Sequence, residues 1–132
     1  MRYLFALLLL SSNLATATEV VTYSGEENFQ RLCAACHGSS GRGDGPVSEV
    51  LSVAVPDLTR ITERYGGEFP RETVKQQIDG RDRITAHGNV QMPVWGYEFY
   101  IDEGAGAFSE QGVSETLDAL VEYLETLQVS AR

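Results

Sequence analysis

Cys33-Ala34-Ala35-Cys36-His37 constrains this chain more than any other stretch. Two thiols three residues apart, with a histidine directly after them, are the pattern of covalent haem attachment. The chemistry asks for these residue types in this order. Each thiol adds to one vinyl group of a porphyrin, so two are needed at a fixed separation. The adjacent imidazole lies under the ring and can bind its iron. Cys33 and Cys36 are the only cysteines in the sequence. A structural zinc site needs four ligands, and only His87 could join these three, on unsuitable spacing. A thioredoxin-like redox pair needs a surrounding βαβ pattern, which the sequence does not carry. A plain disulfide across so short a loop would be strained.

The compartment follows from the first residues. Met1-Arg2-Tyr3 is a basic start, Leu4 to Leu10 a short apolar run, and Ala15-Thr16-Ala17 an A-x-A end. Together they read as a secretory signal peptide over residues 1–17. The run is too short to span a bilayer, and no later segment is apolar enough, so no stable membrane span is expected after cleavage. Residues 18–132 then form one domain. Export agrees with thiol-linked haem, because such linkage is made outside the cytoplasm. The bacterial periplasm is the expected location. The sequence has 19 acidic residues against 10 Lys and Arg, a net charge of -9. That balance argues against nucleic acid, which wants a basic face. It suits a redox partner with a basic docking face, and it also serves solubility.

Along the chain every signal is helical, and no run alternates like a strand. Ser24 with Glu27 is a capping box. Phe29, Leu32 and Cys33 then fall on one helical face and deliver the first thiol to the haem. Gly38 to Pro46 is a tight glycine loop, read as close backbone approach to a flat cofactor. Val47, Val50 and Leu51 predict a short amphipathic helix to Val53. Pro56-Asp57 starts another, with Leu58, Ile61 and Tyr65 inward and Gly66-Gly67 as its stop. Pro70 opens a helix with Val74 and Ile78 inside and Gly80 at its end. Residues 81–91 read as loop and 97–112 as irregular. Ser114 is expected to cap a last helix through Leu117, Leu120, Val121, Leu124 and Leu127.

Full ligation of the iron needs a donor on the face opposite His37. The candidates are Met92 and His87, and an open position is the third possibility. Met92 is favoured because a thioether suits a haem iron and because Pro93 holds it in extended backbone rather than on a helix face.

With these residues in view, the chain resembles the class I c-type cytochromes over about residues 24–128. The likeness rests on Cys33-x-x-Cys36-His37, on Gly25 and Phe29 before it, on Met92-Pro93 downstream, and on Leu120-x-x-Tyr123-Leu124 in the terminal helix. The resemblance implies an all-α fold of a few short helices around one covalently bound haem c, with the N- and C-terminal helices crossing. It further implies His37 and Met92 on iron and Cys33 and Cys36 on the ring. It gives the Pro46 carbonyl to the His37 ring N–H, and the Trp95 indole N–H to a propionate. Arg60 and Arg64 are propionate candidates, and Leu58 and Val94 haem-wall residues. The long aromatic segment after Met92 departs from the pattern, as a docking patch or as part of the chain's own core.

The expected function is a periplasmic single-electron carrier without catalytic residues. Two other readings stand beside it. One is a haem-bearing electron-entry subunit of a larger dehydrogenase or oxidase. The other is a sensor or enzyme with an open distal position.

Overall fold

The structure is a computed structural model that describes residues 23–81, 92–101 and 109–129. The segment read as a signal peptide, His87 and the stretch carrying Asp102, Glu103 and Phe108 lie outside the described residues. The described residues are helical, with no strand among them.

The first helical column begins where the sequence places it. Ser24 Oγ accepts from Glu27 N–H at 3.2 Å, and the Glu27 carboxylate accepts from Ser24 N–H at 2.8 Å. These bonds satisfy two donors that a helix start leaves free. Helix α1 (Gly25–Asn28) passes into a π-helical turn (Phe29–Cys33) and then into α2 (Ala34–His37). A π-helical turn holds one residue more than an α-turn. It rotates the residues after it by about 100° relative to an unbroken α-helix. Phe29 is thereby buried in the core while Cys33 and His37 line a cleft.

The glycine loop folds back on the end of α2. Gly38 N–H donates to Ala34 O, Val47 to Ala35 O, Gly45 to Cys36 O and Gly43 to His37 O. The four carbonyls that α2 leaves open are therefore all satisfied by the chain that follows. Such a close return needs positive φ, which Gly38, Gly41 and Gly43 supply at 78°, 75° and 80°. The helix expected from Val47 to Val53 shrinks to one 3-10 turn (Ser48–Val50). Its valines find nothing to pack on, and Val50 is 82% exposed.

A second 3-10 turn (Leu58–Arg60) follows, capped by Asp57, and runs into α3 (Ile61–Arg64). Ile61 is buried, whereas Tyr65 is largely exposed. Helix α4 (Arg71–Asp79) starts after Pro70 and ends at Gly80 in the left-handed region, with Val74 and Ile78 inward, as its sequence signals predict.

Two expectations fail in the second half. Residues 97–112 are not wholly irregular: α5 (Trp95–Ile101) is a helix. Gly and aromatic residues are weak helix formers, so this helix owes its existence to packing. Phe99 is buried and stacks on Trp95 with ring centroids 5.7 Å apart. The last helix, α6 (Glu110–Thr126), also begins earlier than Ser114. Its cap is Ser109, whose Oγ accepts from Gly112 N–H at 3.1 Å. The longer helix buries Val113 completely. Ser114 instead accepts from Lys75 Nζ at 2.9 Å.

Helix α6 organises the core through Val113, Leu117, Leu120, Val121 and Leu124. Full burial of such a side chain is worth roughly 1.5–3 kcal/mol. Helices α1 and α6 cross as expected. A Cβ at Gly25 would overlap the Ala119 carbonyl, and the Phe29 and Tyr123 rings lie 5.3 Å apart. Arg71 pairs with Glu125 and Lys75 with Asp118, so α4 runs antiparallel to α6. The tail returns to the start of α3. Gln128 Nε2 donates to Leu58 O at 2.8 Å, its Oε1 accepts from Thr62 N–H at 3.0 Å, and Val129 N–H donates to Thr59 O.

Candidate functional site

A cleft of about 370 Å³ opens between the first helical column, α3 and α4. Cys33 and His37 line it from the first column, and Met92 reaches it from a separate segment just before α5. Phe29, Leu58, Ile61, Val74, Ile78 and Leu120 make its surface mainly apolar.

His37 is half-buried, and its Nδ1 lies 3.4 Å from the carbonyl oxygen of Pro56. Donation of Nδ1–H to that oxygen leaves the Nε2 lone pair free to ligate. Burial holds the imidazole below the usual histidine pKa, with the Pro56 carbonyl acting in the opposite sense. Burial is the larger effect, and it favours the neutral ring, the form that binds metal. The Cys33 thiol is pushed up to about 12, first by burial and then by the neighbouring Cys36. The two sulfurs are free cysteines, each half-buried.

Pro46 is therefore displaced from its expected role. It lines a separate depression with Ala34, Ala35 and Asp44, and it shares no lining with the cleft. The glycine loop folds back on the carbonyls of α2 and carries Pro46 with it. Only ten residues later, at Pro56, does the chain come round to the imidazole. A similar exchange affects the arginines. Arg60 is exposed and pairs with Glu63 at 2.8 Å, whereas Arg64 lines the cleft and donates from Nη1 to Asp57 O at 2.8 Å. Leu58 is in the lining. Val94 packs against Gly80, and Trp95 packs on the core beside Phe99. Neither lines the cleft.

Thr73 and Gln77, one α4 turn apart, and the exposed Tyr65 also line the cleft, and the sequence reading gave none of them a part in the site. The available signal was spacing: Thr73, Val74, Gln77 and Ile78 share one α4 face.

The donor set suits a haem. Among the described residues no three His, Cys, Asp or Glu side chains gather to hold a bare metal ion. The cleft offers instead one imidazole, one thioether and the Cys33 thiol, while Cys36, three residues on in the sequence, is half-buried outside its lining; such donors can complete and anchor an iron whose other ligands come from a macrocycle. The apolar lining matches a flat hydrophobic group. A family model described as Cytochrome c matches residues 23–128. The search of curated proteins returned no match, and neither did the search of solved structures.

Proposed function

The chain belongs to the cytochrome c family, and from that premise we propose that it is a periplasmic single-electron carrier with one haem c and His37/Met92 axial ligation. The carrying observation is that Cys33, His37 and Met92, from two distant segments, line one apolar cleft. A haem bound there supplies an iron that alternates between the ferric and ferrous states.

The chain's own residues do the rest. Cys33 and Cys36 would hold the haem covalently through their sulfurs. The Pro56 carbonyl fixes the rotation of His37 about its ring and keeps Nε2 unprotonated. Met92 offers a thioether, a soft donor that favours the reduced state. Leu58, Ile61, Val74 and Ile78 exclude water from the walls. Two protein ligands that stay in place in both oxidation states leave little to rearrange when an electron passes. Arg64, rather than Arg60, stands where a propionate could meet a cation. The acidic surface would draw a partner with a basic docking face.

Optical spectra of the purified protein test this, ferric and ferrous, with and without carbon monoxide, beside Met92→Ala. The reading expects a weak far-red sulfur-to-iron band, indifference to carbon monoxide, and loss of both properties in the variant. Ready carbon monoxide binding by the wild type, unchanged in Met92→Ala, would replace it with a sensor or enzyme that has an open position.

A second reading rests on the outer face of α5, where Tyr97 is 56% and Tyr100 41% exposed. Exposed aromatic residues beside Glu98 favour a permanent contact with a larger dehydrogenase or oxidase. Copurification of another chain from the native source would support it, and a lone soluble protein would speak against it.

A further inference from the structure

Arg81 sits where three helices meet. Its Nε donates to Asp79 Oδ1 at 2.6 Å and its Nη2 to Asp79 Oδ2 at 3.0 Å. Its Nη1 reaches both carboxylate oxygens of Glu110 at 2.9 Å. All three nitrogens of the guanidinium are thus engaged. The planar fork fixes the end of α4 against the first residue of α6. Asp79 and Arg81 are each about one quarter exposed, at 24% and 23%, so the pair is partly shielded from water.

Helix α5 is seated on that fork. A Cβ at Gly96 would overlap both Asp79 Oδ1 and Arg81 Nε, so the backbone lies flush against the charged pair. Val94 rests on Gly80, and its carbonyl accepts from Tyr97 N–H at 3.0 Å. Between Gly96 and Met92 stand only Pro93, whose ring fixes φ, Val94 and Trp95. The position of the thioether in the cleft is therefore set from the fork through a short, stiff connection.

We propose that Arg81, held by Asp79 and Glu110, is a positioning residue for Met92: it seats α5 so that the thioether meets the iron. This rests on the His37/Met92 reading above. Arg71 gives the matched control, because its pair with Glu125 joins the same α4 and α6 by another ion pair, which seats no residue of α5. A merely structural ion pair would act alike at both places. A positioning role changes the ligand only at Arg81.

The test uses haem-loaded full-length protein and imidazole as a competitor for the Met92 position on ferric iron. Arg81→Gln should bind imidazole about tenfold more tightly than wild type, as for loss of a group that orients a ligand, with a weakened far-red band. Arg71→Gln should stay within about twofold, and its unfolding midpoint in guanidinium should fall less than that of Arg81→Gln, because its pair with Glu125 is about half exposed. Gly96→Ala keeps every charge and lifts α5 off the fork, and it should also tighten imidazole binding. It carries the test if Arg81→Gln does not fold. Equal imidazole affinity in Arg81→Gln and Arg71→Gln, or wild-type affinity in Gly96→Ala, overturns the proposal. Met92→Ala separates the two levels: if it binds imidazole no more tightly than wild type, Met92 is not the ligand, and this inference falls with that reading.

Discussion

The carbonyl oxygen of Pro56 lies 3.4 Å from Nδ1 of His37, although 19 residues of chain separate them. This contact makes a directional prediction. Pro56→Ala frees the backbone there and loosens the carbonyl's hold on the ring. A less strongly bonded Nδ1–H makes the imidazole a weaker donor to ferric iron. Voltammetry should show a higher midpoint potential for Pro56→Ala and an unchanged one for Pro46→Ala.

The two candidate arginines separate in the same experiment. A cation near the haem favours the reduced form, which carries one less positive charge. Arg64→Gln should lower the midpoint potential, and Arg60→Gln should lower it less, because Arg60 faces water and Glu63. Equal shifts would assign the propionates to neither.

The crossing of α1 and α6 has no room for a methyl group at Gly25. Gly25→Ala should cost about 1–3 kcal/mol through overpacking, read as a lower midpoint in guanidinium. Leu120→Ala, a fully buried neighbour in the same crossing, should cost about 2–5 kcal/mol.

Acid should loosen the Asp79–Arg81–Glu110 fork. Hydrogen bonds from Arg81 hold the Asp79 carboxyl below its ordinary value of 3.8. A depressed folded pKa gives stability that is present above the unfolded value and lost as pH falls through the folded one. Urea midpoints of wild type should therefore fall as pH drops below about 4, in the carboxylate range. Asp79→Asn, lower at neutral pH, should lose less over that interval, and its curve should approach that of wild type at the acid end. Parallel curves would mean that the fork contributes no pH dependence.

What the sequence made legible was what neighbours in sequence decide. Ser24 and Glu27 satisfy each other, and Pro70 and Gly80 bracket α4 with φ values that their own side chains, or lack of them, permit. Cys33 and His37 share a wall because four residues of a helix put them there. Helix α5 was hidden because Trp95, Gly96 and Tyr97 have no helical bias of their own. Their helix is made by the α4 terminus and by Phe99 finding the core. The last helix was expected to start at Ser114, and it starts at Ser109 because the longer helix buries Val113. The choice between Pro46 and Pro56 depended on the path of a loop, which only the bonds of Gly43, Gly45 and Val47 to α2 determine.

The tether from Gln128 to Leu58 and Thr62 spans 70 and 66 residues. A contact of that reach closes late in folding, because the chain must first pay the entropy of a long loop. During synthesis the wall at Leu58 must wait for residue 128 to emerge before its carbonyl is tied down. A chain shortened ahead of Gln128 would keep both sulfurs, His37 and Met92, yet leave the first turn of α3 untethered. Completion of the cleft wall thus depends on residues far along the chain from it, Gln128 and Val129.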